Sequence, residues 1–180
     1  MFARSVAGIL LAGLSTQALA EVRETREVKN YQFAGASMAE ARASMNKVRP
    51  RGYDAFTTWQ INWRYTYKQA NGRCSIATVT VNLAIVYTMP DLQTSDAALD
   101  RSFKGYLVKL RAHEDGHAEN GRIVARRVDD AIPKLSAATC EELGKNANAL
   151  GQSIVKEGNA LDIEYDKQTD HGRTQGARWQ

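Results

Sequence analysis

From Ser95 to Pro133 the apolar residues Leu99, Phe103, Leu107, Leu110, Val124, Val128 and Ile132 recur at three- and four-residue steps, with charged residues between them. That period predicts one long amphipathic helix ending near Pro133. Its apolar stripe has to be covered, and this constrains the fold more than any other segment.

The cover is found upstream and downstream. Trp59, Ile61, Trp63, Tyr65 and Tyr67 alternate with Gln60, Asn62, Arg64 and Thr66, the period of a strand with one apolar face. A turn at Ala70-Asn71-Gly72-Arg73 and a Val- and Thr-rich run from Ile76 to Tyr87 complete a long hairpin. The aromatic stripe is read as sheet core. A short strand over Val28 to Phe33 precedes a capping box at Ser37 and Glu40, which opens a helix to about Lys47. Arg49-Pro50-Arg51-Gly52 ends that helix, because proline lacks a donor and disfavours helix in the residue before it. A second capping box at Thr139 and Glu142 starts a further helix from Cys140 to about Ile163. Beyond it, Tyr165 to Gly172 reads as a polar, turn-like tail. The expected fold is α+β: a small antiparallel sheet, made of the hairpin and the N-terminal strand, packed on the long helix and a second C-terminal helix.

Residues 1–20 are expected to be an export signal, with Arg4 before a short apolar run from Val6 to Leu14 and the small-x-small pattern Ala18-Leu19-Ala20. The remainder, residues 21–180, is enough for one domain. No other segment reaches transmembrane length, so stable membrane insertion after cleavage is not expected. The net charge of +4 is small and scattered. Arg49-Pro50-Arg51 and Arg126-Arg127 carry no interleaved aromatics, which excludes a nucleic-acid platform. Cys74 and Cys140, an even pair in an exported chain, are expected to form a disulfide worth about 2–4 kcal/mol. The expected location is the periplasm or the exterior.

Inside the long helix lies His113-Glu114-Asp115-Gly116-His117. Histidines four residues apart are about 40° apart around a helix, so both rings reach one ion from one face. Glu114 follows the first ligand directly, where it can serve as a general base toward water. Zinc there supplies a hydroxide near neutral pH and a Lewis acid for a carbonyl oxygen. This is the zincin arrangement. The metzincin extension is absent, since its glycine and histidine positions hold Asn120 and Ile123. A catalytic zinc takes three protein ligands, and of three histidines in the chain the remaining one is His171. Carboxylates at Glu157, Glu164, Asp166 or Asp170 are the other candidates. The expected activity is hydrolysis of a peptide or protein substrate. The rivals are an envelope amidase acting on cell-wall peptides and a non-catalytic zinc-binding envelope protein. Glu114 speaks against the last, because a structural site has no need of a base beside its ligand.

The export signal, the Gly35-Ala36-Ser37-x-x-Glu40 opening, Trp59-x-x-x-Trp63, Cys74, the His-Glu-x-Gly-His helix and Cys140 come in a recognisable order. With the closing Tyr165-Asp166-x-x-Thr169-x-His171-Gly172-x-x-Gln175-Gly176-Ala177, the chain resembles the bacterial "domain of unknown function 922" family, predicted secreted zinc-dependent proteases. The resemblance spans nearly all of residues 21–180. It implies His171 as the third zinc ligand, Tyr165 as a hydrogen-bond donor to an oxyanion, and Asp166 as a group that orients a ligand histidine. Gly116 is read as room for a strand or the tail to pack close to the helix.

Overall fold

The computed structural model describes residues 20–179. The expected export signal lies outside the described residues, apart from the backbone of Ala20. Strands β1 (Ala20–Ala34), β2 (Phe56–Ala70) and β3 (Arg73–Gln93) form one sheet in the order β1-β3-β2, and β4 (Ser136–Ala137) adds a short pairing to the start of β3. The β2–β3 hairpin turns at Asn71 and Gly72, both at positive φ (53° and 72°), as an Asn-Gly turn of the primed type requires. β3 is the central strand, and its Ile76, Val79, Val81, Leu83, Ile85 and Tyr87 are buried.

Two features of β1 depart from the sequence-based expectation. It runs parallel to β3, so the sheet is mixed and not antiparallel. The chain crosses over through helix α1 (Met38–Val48) and then turns back through β2, which brings β3 alongside β1 in the same sense. β1 also begins well before Val28. Its first half holds Arg23, Glu24, Arg26 and Glu27, an edge-strand composition with no apolar alternation to read. Glu24 is instead fastened by a two-pronged ion pair to Arg122 (2.9 and 3.1 Å).

The long helix α2 (Ala97–Ala131) starts at Asp96, whose carboxylate accepts from the backbone of Ala98 and Leu99. Its buried Leu99, Phe103, Leu110, Val124, Ala125 and Val128 pack against the sheet. Helix α3 (Cys140–Thr169) lies on α2 and along β2. Gly144, Gly151 and Gly158 recur every seven residues and so form a nearly straight stripe on α3. Tyr65, Trp63 and Trp59 of β2 lie on that stripe in turn, and a Cβ at Gly151 would come within 2.4 Å of the Trp63 ring. Their polar ends bond the helix as well: Tyr65 to the Gly144 carbonyl (3.3 Å), Trp63 to Asn148 (3.2 Å) and Trp59 to Asp162 (2.6 Å). The aromatic stripe is thus the seat of α3, which fixes where the end of that helix falls.

Cys74 and Cys140 are disulfide-bonded, joining the start of β3 to the start of α3. After α3 the chain turns back through Asp170, His171 and Gly172, all at positive φ. Its end closes on α2, where Trp179 stacks on Tyr106 and meets Phe103 and Phe33 edge-on. Arg42 of α1 donates to the Trp179 carbonyl from Nη2 and Nε (2.8 and 3.1 Å). Among the described residues no helix is long and apolar enough to cross a membrane.

Candidate metal centre

Tyr106, Leu110, His113 and His117 follow one face of α2 and, with Glu114, line a cleft of about 580 Å3. The opposite walls come from residues 52–57, the end of α3 and the tail. His113, Glu114 and His117 are all buried. The two imidazole rings stand nearly perpendicular, with centroids 4.9 Å apart.

The expectation placed Tyr165 and Asp166 in a turn, yet α3 continues to Thr169 and puts both on its last turns. This changes the candidate ligand set. Nitrogen atoms of His113 and His117 and a carboxylate oxygen of Asp166 lie within 4.8 Å of one another. Nε2 of His113 and Nε2 of His117 approach the same Asp166 Oδ1, at 3.2 and 3.1 Å. These are close to the roughly 3.3 Å edge of a tetrahedron with zinc–ligand arms of about 2.0–2.1 Å. Asp166, expected to orient a histidine, therefore stands as the third member of the group. His171, expected in that place, falls outside it. It is an exposed residue whose Nδ1 is 3.5 Å from Asp166 Oδ1.

The far side of each ring is fixed. Nδ1 of His113 donates to Gln175 Oε1 (3.0 Å), and Nδ1 of His117 donates to Asp162 Oδ1 (3.1 Å). Asp162 is itself held by Asn120 (2.8 Å) and by Trp59. A neutral ring that donates from Nδ1 turns its Nε2 lone pair toward the Asp166 oxygen. Acceptors that face one another need a cation between them, a proton or a metal ion. The donor set, two outer-supported imidazoles and one carboxylate, fits a divalent transition metal such as zinc.

Electrostatics sort the three residues on α2. Burial holds the His113 imidazole below its ordinary pKa, against the supporting Gln175 bond. His117 is also buried, but the Asp162 bond and the charges of Asp166 and Asp162 outweigh burial and raise it. Burial pushes the Glu114 carboxyl up to about 7, although the Thr57 bond and the His117 charge pull the other way. Thr57 Oγ1 donates to Glu114 Oε2 at 2.8 Å, and no described residue donates to Oε1.

Tyr165 is placed behind the histidines. Its ring stacks on His113 (5.1 Å, 11°) and meets His117 edge-on (5.0 Å). Its hydroxyl donates to the His113 carbonyl (3.1 Å) and accepts from Gln175 (3.0 Å). It does not line the cleft, so its contacts are those of a brace for the two rings. The brace depends on Gly116, since a Cβ there would come within 2.1 Å of the Tyr165 hydroxyl. Close packing at Gly116 was expected; its partner proves to be the end of α3.

Asp162, Thr57 and Gln175 were not singled out as site residues. Asp162 stands four residues before Asp166, a spacing that puts both carboxylates on one face of a helix. Gln175 belongs to the closing motif, and Thr57 shows no distinguishing signal in the sequence.

Searches among curated proteins and among solved structures return no match. A family model does match, over residues 28–172, a span that includes every group just described except Gln175. The chain belongs to the family described as "Bacterial protein of unknown function (DUF922)".

Proposed function

We propose that this chain is an exported zinc-dependent peptide hydrolase. The observation that carries the reading is the buried Glu114 carboxylate beside the His113–His117–Asp166 group in a cleft large enough for a peptide segment. His113, His117 and Asp166 would hold the ion, with Asp162 and Gln175 fixing the two rings. Zinc, when bound, supplies an activated water and a Lewis acid for the substrate carbonyl.

Glu114 has one carboxylate oxygen anchored by Thr57 and the other without a donor among the described residues. That arrangement suits a base which takes a proton from the attacking water and returns it to the leaving amine. Tyr165 positions the ligand rings, and the exposed His171 lines the cleft beside Asp166, where it can meet the substrate or add to the ligand set. The leader pattern in residues 1–20 supports export.

The test is metal analysis of the purified protein together with cleavage of a broad peptide library that includes cell-wall peptide amides. Wild type is expected to bind one zinc and cleave. Glu114→Gln should keep the zinc and lose about 1,000-fold in kcat. Cleavage confined to cell-wall amides would make the chain an amidase. Zinc held equally by both proteins with no cleavage by either would leave a zinc-binding protein and sink the hydrolase reading.

A further inference from the structure

The cleft changes character away from the histidines. There Arg42 and Arg49 line it with Asp54. Asp54 accepts from Arg42 at 2.6 Å, from Arg49 at 2.9 Å and from the Tyr106 hydroxyl at 2.7 Å. Two guanidinium groups on one carboxylate leave a positive charge in surplus.

The two arginines differ in what remains to them. Arg42 is fully engaged, with Nη1 on Asp54 and with Nε and Nη2 on the Trp179 carbonyl. Arg49 spends only Nη1, on Asp54; its Nε and Nη2 donate to no described residue, and its side chain is 33% exposed. Nε and Nη2 form the edge of a guanidinium that grips a carboxylate with two parallel hydrogen bonds. The backbone beneath is set: Arg49 caps α1 by donating to the Met45 carbonyl (2.8 Å), and Pro50 follows it. The receptor is therefore preorganised, with one nitrogen pinned on Asp54 in a residue that lines the cleft.

Its distance from the metal centre follows from α2. Tyr106, which bonds Asp54, precedes His113 by seven residues, about 10 Å along a helix axis. An extended peptide covers that in roughly three residues. Resting on the peptide-hydrolase reading, we propose that Arg49 forms a subsite for a substrate carboxylate about three residues from the scissile bond. The carboxylate is an acidic side chain or a peptide C-terminus, since both present the same group to the fork.

Calorimetry on the zinc-loaded Glu114→Gln protein tests this without turnover. The probes are N-acetylated alanine hexapeptides carrying Glu or Gln at each position in turn, as C-terminal amides, and the all-alanine peptide as acid and as amide. One acidic probe should bind about 10-fold or more tighter than its neutral twin. The Glu series reports a side chain, and the acid–amide pair reports a chain end. Adding Arg49→Gln should abolish the preference. Arg49→Lys, which keeps a charge beside Asp54 but not the fork, should reduce it and guards against an effect of lost folding. Equal binding of acidic and neutral probes, or a preference that survives Arg49→Gln, overturns the subsite. Wild-type cleavage is scored separately: carboxylate preference without cleavage keeps the subsite and removes the hydrolase, and cleavage without preference does the reverse.

Discussion

Asp54 and Asp166 line one cleft, and their surroundings are opposite. Asp54 is met by donors on every side: two guanidiniums and a tyrosine hydroxyl on its oxygens. Burial alone would raise its carboxyl, but the Arg42 and Tyr106 hydrogen bonds, with Arg49, hold it below the usual carboxylate range. Asp166 faces the nitrogens of three histidines, two of which hold their Nδ1 atoms against other partners. A carboxylate among donors is complete as it stands. A carboxylate among acceptors is completed by a cation. The first builds the cleft and the second equips it.

That contrast is broken most directly by removing each aspartate. Asp166→Ala should weaken zinc binding by roughly 100-fold or more while moving the metal-free melting temperature little. Competitive titration against a chelator and a melt in excess chelator read the two effects. Asp54→Ala should do the opposite, costing about 3 kcal/mol because two arginines and Tyr106 lose their shared acceptor. If Asp54→Ala strips zinc as fully as Asp166→Ala does, the division between the two sites is wrong.

Acid sharpens the same difference. A carboxyl held below its unfolded-state pKa contributes stability above that value, about 3.9 for aspartate. The contribution is lost as pH falls through the lower folded-state value. Denaturant unfolding of the metal-free protein should therefore separate wild type from Asp54→Asn widely at pH 6 and less and less below about pH 4. A gap that stays constant into acid would show that charge at Asp54 is not what stabilises the cluster.

A smaller effect is expected at Gly116. Alanine there drives a methyl into the Tyr165 hydroxyl and should cost about 1–3 kcal/mol by overpacking. Because Tyr165 braces the candidate ligand rings, zinc affinity should fall with it, and Tyr165→Ala, which clears both the hydroxyl and the ring carbon that would lie 2.3 Å away, should relieve the cost of Gly116→Ala. No rescue would mean that the crowding lies elsewhere.

Much of this was legible in the residues because it obeyed a local period. His113, Glu114 and His117 announce themselves by helical spacing, Asn71-Gly72 by its turn chemistry, and Ser37 and Thr139 by their caps. What escaped depended on partners distant in sequence. The parallel pairing of β1 is a matter of chain routing, and its charged first half carries no strand signal. Asp162 and Asp166 look like two more solvated carboxylates until Trp59, Asn120 and the α2 histidines are set against them. α3 runs to Thr169, six residues past the end at about Ile163 that its sequence predicts, because the apolar period fades there. Of the β2 stripe, Ile61 is buried and Trp59, Trp63 and Tyr65 are half-buried beneath α3, whereas Tyr67, expected in the sheet core, is exposed past the bulge at Thr66; Trp59 also reaches the candidate metal centre through Asp162.

The disulfide adds a consequence of its own. The loop it closes, residues 74–140, encloses all of α2 with His113, Glu114 and His117. Asp162, Asp166 and Gln175 lie outside the loop, beyond the point where the covalent tie has any hold. Oxidation alone therefore leaves the candidate site half assembled. Asp166 joins the two histidines only when α3 has settled, glycine by glycine, along Tyr65, Trp63 and Trp59. On the proposed zinc reading, metal affinity would gauge how completely one helix has docked, and an ion held by His113, His117 and Asp166 would lock the end of α3 that the sulfurs leave loose.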